Sequence, residues 1–178
     1  MIIIIRTCSG HRSSVECVAL TRDNRLVVST ENDGTIIAHS TKTGIVEHRA
    51  DNVFANGVYG LCYLLNGSLV ACGFDVSGGP NLKVFSPSLE LVQTLEGHNG
   101  NVNCVTVSPS GSHFASCGSG GKVIIWSESG EGGELARVQV LEDHTYYIDA
   151  VCFSPDGKQL ATSQSTFYSF NEGNAILA

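Results

Sequence analysis

The stretch Val102-Asn103-Cys104-Val105-Thr106-Val107-Ser108-Pro109-Ser110-Gly111-Ser112-His113-Phe114-Ala115-Ser116 decides the fold. Apolar residues alternate with polar ones from Val102 to Val107, and a period of two belongs to strands. Ser110-Gly111 then supplies a residue that tolerates positive φ, which a tight reversal needs. Phe114-Ala115-Ser116 opens a return strand. The stretch therefore reads as a β-hairpin.

The same pattern recurs at Val15–Val28, Val58–Ala71 and Ile148–Thr162. The opening residues Val15, Val58, Val102 and Ile148 are 43, 44 and 46 positions apart. The turn residues Asn24, Gly67, Gly111 and Gly157 repeat those spacings, and Leu26, Leu69, Phe114 and Leu160 give 43, 45 and 46. Three landmarks keep one period, which marks an internal repeat. Each unit continues into a third strand (Thr35–His39, Leu82–Phe85, Val123–Trp126) and a fourth (Ile45–Arg49, Leu89–Leu95, Leu135–Leu141). Four antiparallel strands in about 44 residues make a unit the size of a propeller blade. No segment carries a helical period over ten or more residues. Ser127–Glu134 reads as a Gly/Glu-rich connecting loop.

These residues resemble the WD40 repeat family. The third unit carries the resemblance best, through Gly97-His98, Val107-Ser108-Pro109-Ser110-Gly111, Phe114-Ala115-Ser116 and Val123-Ile124-Ile125-Trp126. The fourth supplies Asp143-His144 and Phe153 to Thr162, and the first Gly10-His11 and Asp33-Gly34-Thr35-Ile36. The resemblance implies an all-β fold of four-stranded blades, about three and a half of them in this chain. It also implies a buried polar tetrad in each blade: a His before the first strand, a Ser or Thr in the second, an Asp in the next turn and a Trp in the third. His11, Ser29 and Asp33 match in the first unit, with His39 where Trp is expected. His98, Ser116 and Trp126 match in the third, with Gly120 where Asp is expected, and His144 and Thr162 match in the fourth. The second has Phe54 for His and Phe85 for Trp, and its Asp75 lies in an enlarged turn, Phe74–Asn81. With no complete set, the blades are expected to be held mainly by apolar packing.

The repeat region is expected to span 1–163. It divides into a leading outer strand at 2–7, repeats at 8–50, 51–94 and 95–140, and a partial repeat at 141–163, followed by a non-repeat tail at 164–178. Seven-bladed rings of this family need roughly 300 residues at this period. The expectation is thus a partial propeller: a truncated product, a small ring closed with Phe167–Phe170 or Asn174–Leu177, or a chain that pairs with a second copy. Open strand edges would favour such self-association.

Composition limits the function. Hydrophobic residues at 42% and charged residues at 15% describe a folded chain, and a net charge of −7 disfavours nucleic acid and anionic membranes. Met1–Ile5 is too short for a signal peptide's apolar region. Seven cysteines, an odd number with no CxxC pair, read as reduced and intracellular, in cytoplasm or nucleus alike, where they act as small apolar side chains. The recurring histidines lie in separate blades and do not converge as metal ligands. Gly118-Ser119-Gly120-Gly121-Lys122 precedes a strand and reads as a turn, not a phosphate loop. No Gly-x-Ser-x-Gly elbow supports a hydrolase. The expectation is a scaffold or adaptor for protein or peptide partners, with no catalytic residues, cofactor or metal. Its contact residues would come from loops at one end of the blades: Arg12, Asn32, Asn56, Asn101, Tyr146 and Tyr147. The competing expectations are a propeller enzyme of hydrolase type and a truncated product without independent function.

Overall fold

A computed structural model describes residues 7–75, 80–129 and 133–165, and the backbone of 174–177. The hairpin at Val102–Ser116 forms β9 (Val102–Val107) and β10 (His113–Gly118), and it recurs as β1 (Val15–Leu20) with β2 (Leu26–Glu31), β5 (Val58–Tyr63) with β6 (Leu69–Gly73), and β13 (Ile148–Phe153) with β14 (Leu160–Gln164). The four turns adopt the left-handed backbone that their sequence asks for, with φ of 58° at Asn24, 84° at Gly67, 72° at Gly111 and 71° at Gly157.

The remaining strands are β3 (Ile36–Ser40), β4 (Val46–Ala50), β7 (Leu82–Phe85), β8 (Leu91–Thr94), β11 (Val123–Ser129), β12 (Glu134–Leu141) and β15 (Asn174–Leu177). They give four antiparallel sheets, ordered β1-β2-β3-β4, β5-β6-β7-β8, β9-β10-β11-β12 and β13-β14-β15. The described residues contain no helix.

Two bulges repeat with the sheets. The first lies between β1 and β2, β5 and β6, β9 and β10, and β13 and β14, and leaves Glu16, Tyr59, Asn103 and Asp149 as the extra residues. The second leaves Glu47, Val92 and Val138 extra on the fourth strands. A bulge breaks the alternation of faces, which is why Val92 and Val138 stand in solvent.

First strands lie side by side, β1 against β5, β5 against β9 and β9 against β13. Apolar clusters fill the spaces between sheets. Phe54, Leu61, Leu69 and Phe85 meet Val28, Ile36 and Ala38 at the first junction. Cys62, Val70, Cys72 and Leu82 meet Phe114, Ile124 and Trp126 at the second. Ala115, Cys117 and Val123 meet Ile148, Val151 and Leu160 at the third. Each fully buried apolar side chain contributes roughly 1.5–3 kcal/mol. Side-chain amides reinforce the joins: Gln93 holds both the N–H and the C=O of Leu135, and the Asn103 amide donates to the carbonyl of Ile148.

Three expectations change. Ser127–Ser129 are not loop, because they extend β11 and pair with Ala136, Leu135 and Glu134 of β12. Leu89 is not strand: with φ of 64° it closes the turn that its N–H makes to the Ser86 carbonyl, and β8 starts at Leu91. Within the span read as a non-repeat tail, Asn174–Leu177 pairs antiparallel with β14, in the place of a third blade strand. The proposed leading strand at 2–7 and the alternative third strand Phe167–Phe170 fall outside the described residues, apart from Thr7.

Candidate functional site: buried polar sets and the loop-bearing end

The loop before each first strand folds back over the second strand of its own sheet. This brings a histidine onto a hydroxyl three times. His11 Nε2 lies 2.5 Å from Ser29 Oγ, His98 Nε2 lies 2.7 Å from Ser116 Oγ, and His144 Nε2 lies 2.7 Å from Thr162 Oγ1. In the third sheet Trp126 Nε1 also donates to Ser116 Oγ at 2.8 Å.

The fourth member differs from the expectation. Asp33 does not join His11; it is exposed and its carboxylate accepts the N–H of Thr35, which braces the turn. Glu31 takes the role instead. Its side chain has no exposed surface, its Oε1 lies 2.6 Å from His11 Nδ1, and its Oε2 accepts the N–H groups of Arg12 and Ser13. Burial works to raise the Glu31 pKa, but the hydrogen bonds from Arg12, His11 and Ser13 outweigh it and hold the carboxyl below its ordinary value. Gln164 stands in the same place in the fourth sheet, with Oε1 3.1 Å from His144 Nδ1. Both residues sit two positions after the hydroxyl residue, so they share its face of the strand. That offset is the sequence signal that could have found them.

The third sheet has Gly118 at this position. A Cβ there would lie 1.9 Å from the carbonyl oxygen of Asn101, so the close approach of the lead-in loop excludes any side chain. His98 Nδ1 is left buried without a partner among the described residues. Burial, and secondarily the charge of Lys122, lowers the His98 pKa from 6.5 to about 4. His39, standing where Trp126 stands, bonds to the Ser9 carbonyl at 2.9 Å instead of to Ser29.

His11, Ser29 and Glu31 align as a hydroxyl, an imidazole and a carboxylate, the order a hydrolytic triad requires. A nucleophile must also meet its substrate. Ser29 and Glu31 are buried within the sheet, and neither Ser29 nor His11 lines the clefts at Arg22, Arg12, Asn99, Gln159 or Arg137. In this environment the three groups satisfy one another, as buried polar groups must.

The six candidate contact residues lie at one end of the sheets. There the turn between second and third strands of one sheet meets the lead-in loop of the next. Val53 N–H bonds to the Gly34 carbonyl, Asn81 Nδ2 to the Gly100 carbonyl, and Gly121 abuts the His144 carbonyl. Arg12, Asn32, Asn56, Tyr146 and Tyr147 are exposed and Asn101 is half-buried. Tyr146 and Tyr147 expose 55% and 43% of their surface. Arg12 lines a polar cleft with Asp33, Thr35, Arg49, Asp51 and Asn52. At the opposite end a groove between the first two sheets is lined by Arg22, Asp23, Arg25, Glu47, Tyr63 and Leu65.

The sequence compares with known proteins in the same terms. Residues 3–39, 89–127 and 135–167 match the model of the "WD domain, G-beta repeat" family. The chain is 51% identical over 51 residues (29% of the chain) to the "Ribosome biogenesis protein WDR12 homolog" of Chlamydomonas reinhardtii. It is 28% identical over 127 residues (70% of the chain) to the "Probable cytosolic Fe-S cluster assembly factor" of Schizosaccharomyces japonicus. Over 118 residues (66% of the chain) it is 26% identical to "BEACH domain-containing protein B" of Arabidopsis thaliana. The matches span 11%, 21% and 4% of those three proteins' lengths. The family matches cover more than half of the chain and fall on sheets that carry the His–hydroxyl pairs, and the chain belongs to the WD domain, G-beta repeat family.

Proposed function

We propose that this chain is a non-enzymatic scaffold that binds a protein or peptide at the end of the sheets carrying Arg12, Asn32, Asn56, Asn101, Tyr146 and Tyr147. The observation that carries the reading is the gathering of these residues along three successive sheet junctions, on loops anchored by hydrogen bonds to a rigid framework. Exposed Tyr and Arg side chains are the types that dominate binding energy at interfaces. The relatives' printed names place them in ribosome biogenesis and Fe-S cluster assembly, settings that suit an intracellular assembly role in a larger complex. The reading keeps the repeat boundaries at 8–50, 51–94, 95–140 and 141–163. His11, Ser29, Glu31, His98, Ser116, Trp126, His144 and Thr162 have structural roles within it.

The test is comparative. Cross-linking and affinity purification would be run on the wild type, on Arg12→Glu combined with Tyr146→Ala and Tyr147→Ala, and on a control altered at the other end, Arg22→Glu with Leu65→Ser. A partner lost from the first variant and retained by the second supports the reading. A partner lost only from the second sinks it. The hydrolase alternative draws on the His11–Ser29–Glu31 alignment; turnover abolished by Ser29→Ala would establish it and overturn the scaffold reading.

Contact between copies belongs to the same reading. Val15, Val18 and Leu20 stand more than half exposed on β1. Sedimentation of the wild type against Val18→Lys with Leu20→Lys would show whether this strand joins two chains.

A further inference from the structure

Six cysteines lie in described strands, and their opposite neighbours differ. Cys17 faces Thr30, Cys62 faces Val70, Cys72 faces Gly60 and Cys152 faces Ala161. Cys104 of β9 and Cys117 of β10 face each other. We propose that Cys104 and Cys117 form an oxidative modification site, at which a hydroperoxide closes a cross-strand disulfide at the junction of the third and fourth sheets. The proposal does not depend on the scaffold reading.

Geometry supports it first. Directly opposed residues of an antiparallel pair have Cα atoms about 4.5–5.5 Å apart, inside the window of about 4.4–6.8 Å that a disulfide spans. Both sulfurs face the fourth sheet, so they lie on one face of the hairpin. Access comes next. Cys104 is half-buried and Cys117 has no exposed surface, so Cys104 is the sulfur that a peroxide meets first. The neighbouring Cys117 thiol, working against burial, holds the Cys104 pKa below its ordinary value, which favours the thiolate that reacts. The other deeply buried thiols, Cys62 and Cys72, are pushed upward by burial and have no thiol across the strand.

The chemistry balances in two steps. The Cys104 thiolate attacks one oxygen of the peroxide; an S–O bond forms, the O–O bond breaks, and the leaving hydroxide takes a proton to become water. The Cys117 sulfur, giving up its proton, then attacks the sulfenic sulfur; the S–S bond forms, the S–O bond breaks, and the second hydroxide leaves as water. The thiol pair loses two electrons and two protons, and the peroxide is reduced to water.

The fourth sheet would register the change. Cys104 Sγ lies 3.8 Å from the Val151 carbonyl oxygen and Cys117 Sγ lies 3.8 Å from that of Ile148, both in β13. Drawing the sulfurs together into a bond of about 2.05 Å withdraws these thiol contacts from β13.

The test treats the folded full chain with hydrogen peroxide at neutral pH, alkylates the remaining thiols and maps peptides without reduction. The expected result is one linked pair, Cys104 with Cys117, a loss of two alkylatable thiols and recovery of both on adding a reductant. Cys104→Ser and Cys117→Ser should each abolish the link, and in C117S Cys104 should proceed to sulfinic or sulfonic acid. Amides of β13 should exchange faster in the oxidised chain than in the reduced one. Both thiols remaining alkylatable, or a link through any other cysteine, overturns the site. Unchanged exchange in β13 overturns its effect on the junction. The wild-type map needs no variant, so the result stands even where a serine variant fails to fold.

Discussion

The second and third sheets share four strands and two bulges, yet they hold their lead-in loops by different chemistry. In the third, His98 and Trp126 converge on Ser116. In the second, the corresponding residues are Phe54, Phe85 and Ala71, all buried, and the loop is held by apolar contact. Lys83 completes that arrangement: its ammonium bonds to the Val53 carbonyl at 2.5 Å and sits 4.5 Å from the Phe54 ring centroid. Gly73 makes room for it, since a Cβ there would lie 2.2 Å from the Gly57 carbonyl oxygen and 3.0 Å from the Phe54 ring. The family matches skip the second unit's first three strands, although the sheet forms all the same. The lesson is that the polar set is one way of closing a sheet's end and a phenylalanine is another. A buried donor without an acceptor costs free energy, whereas replacing donor and acceptor together by apolar groups can be nearly neutral.

The largest test of that comparison is Phe54→Ala. It removes the ring that replaces the histidine and should cost about 3–5 kcal/mol, read as a fall in the urea midpoint at constant m-value. A cost below about 1 kcal/mol would mean that apolar contact does not hold the second loop.

Acid should separate the two sheets next. The folded chain binds a proton at His98 only near pH 4, whereas the unfolded chain binds it near 6.5. Between those values the unfolded state carries more protons, so stability is complete above about pH 6.5 and declines as pH falls toward 4, by about 3 kcal/mol. His98→Phe, which copies the second sheet, should flatten that part of the pH profile. Glu31 acts in a lower window: its stabilisation is present above its unfolded value of 4.5 and is lost as pH falls through its lowered folded value. Equilibrium unfolding at several pH values checks both.

Ser116→Ala leaves Trp126 Nε1–H without its acceptor and His98 Nε2 without its hydroxyl partner and should cost about 2 kcal/mol, whereas Ala71, at the same place in the second sheet, has no such groups to satisfy. Trp126→Phe removes one hydrogen bond and keeps an aromatic ring in contact with the stacked Phe114, so about 1 kcal/mol is expected. Should Trp126→Phe cost more than Ser116→Ala, ring packing rather than the shared hydroxyl would be holding the third loop.

Much of this was legible in the chain. Alternation at Val102–Val107 and the turn residues Asn24, Gly67, Gly111 and Gly157 fixed the hairpins, because period and positive φ are local properties. The His–hydroxyl pairs were legible as recurring positions. Glu31 and Gln164 were missed because the expected acid was sought in the turn, at Asp33, while the side chain facing the histidine lies on the strand itself. Ser127–Ser129 were misread because a composition rich in Gly and Glu does not reveal that their backbone groups have partners in β12.

By itself the sequence determined the repeat, the hairpins and the all-β class, since these follow from side-chain period and turn chemistry within a few residues. Tertiary structure decided what long-range approach alone can set. It chose Glu31 over Asp33 as the partner of His11, it pressed the Asn101 carbonyl against Gly118 and so left His98 without an acid, and it placed Cys104 opposite Cys117. Each depends on where one strand or loop lies against another, and a bulge of one residue is enough to change which side chain faces which.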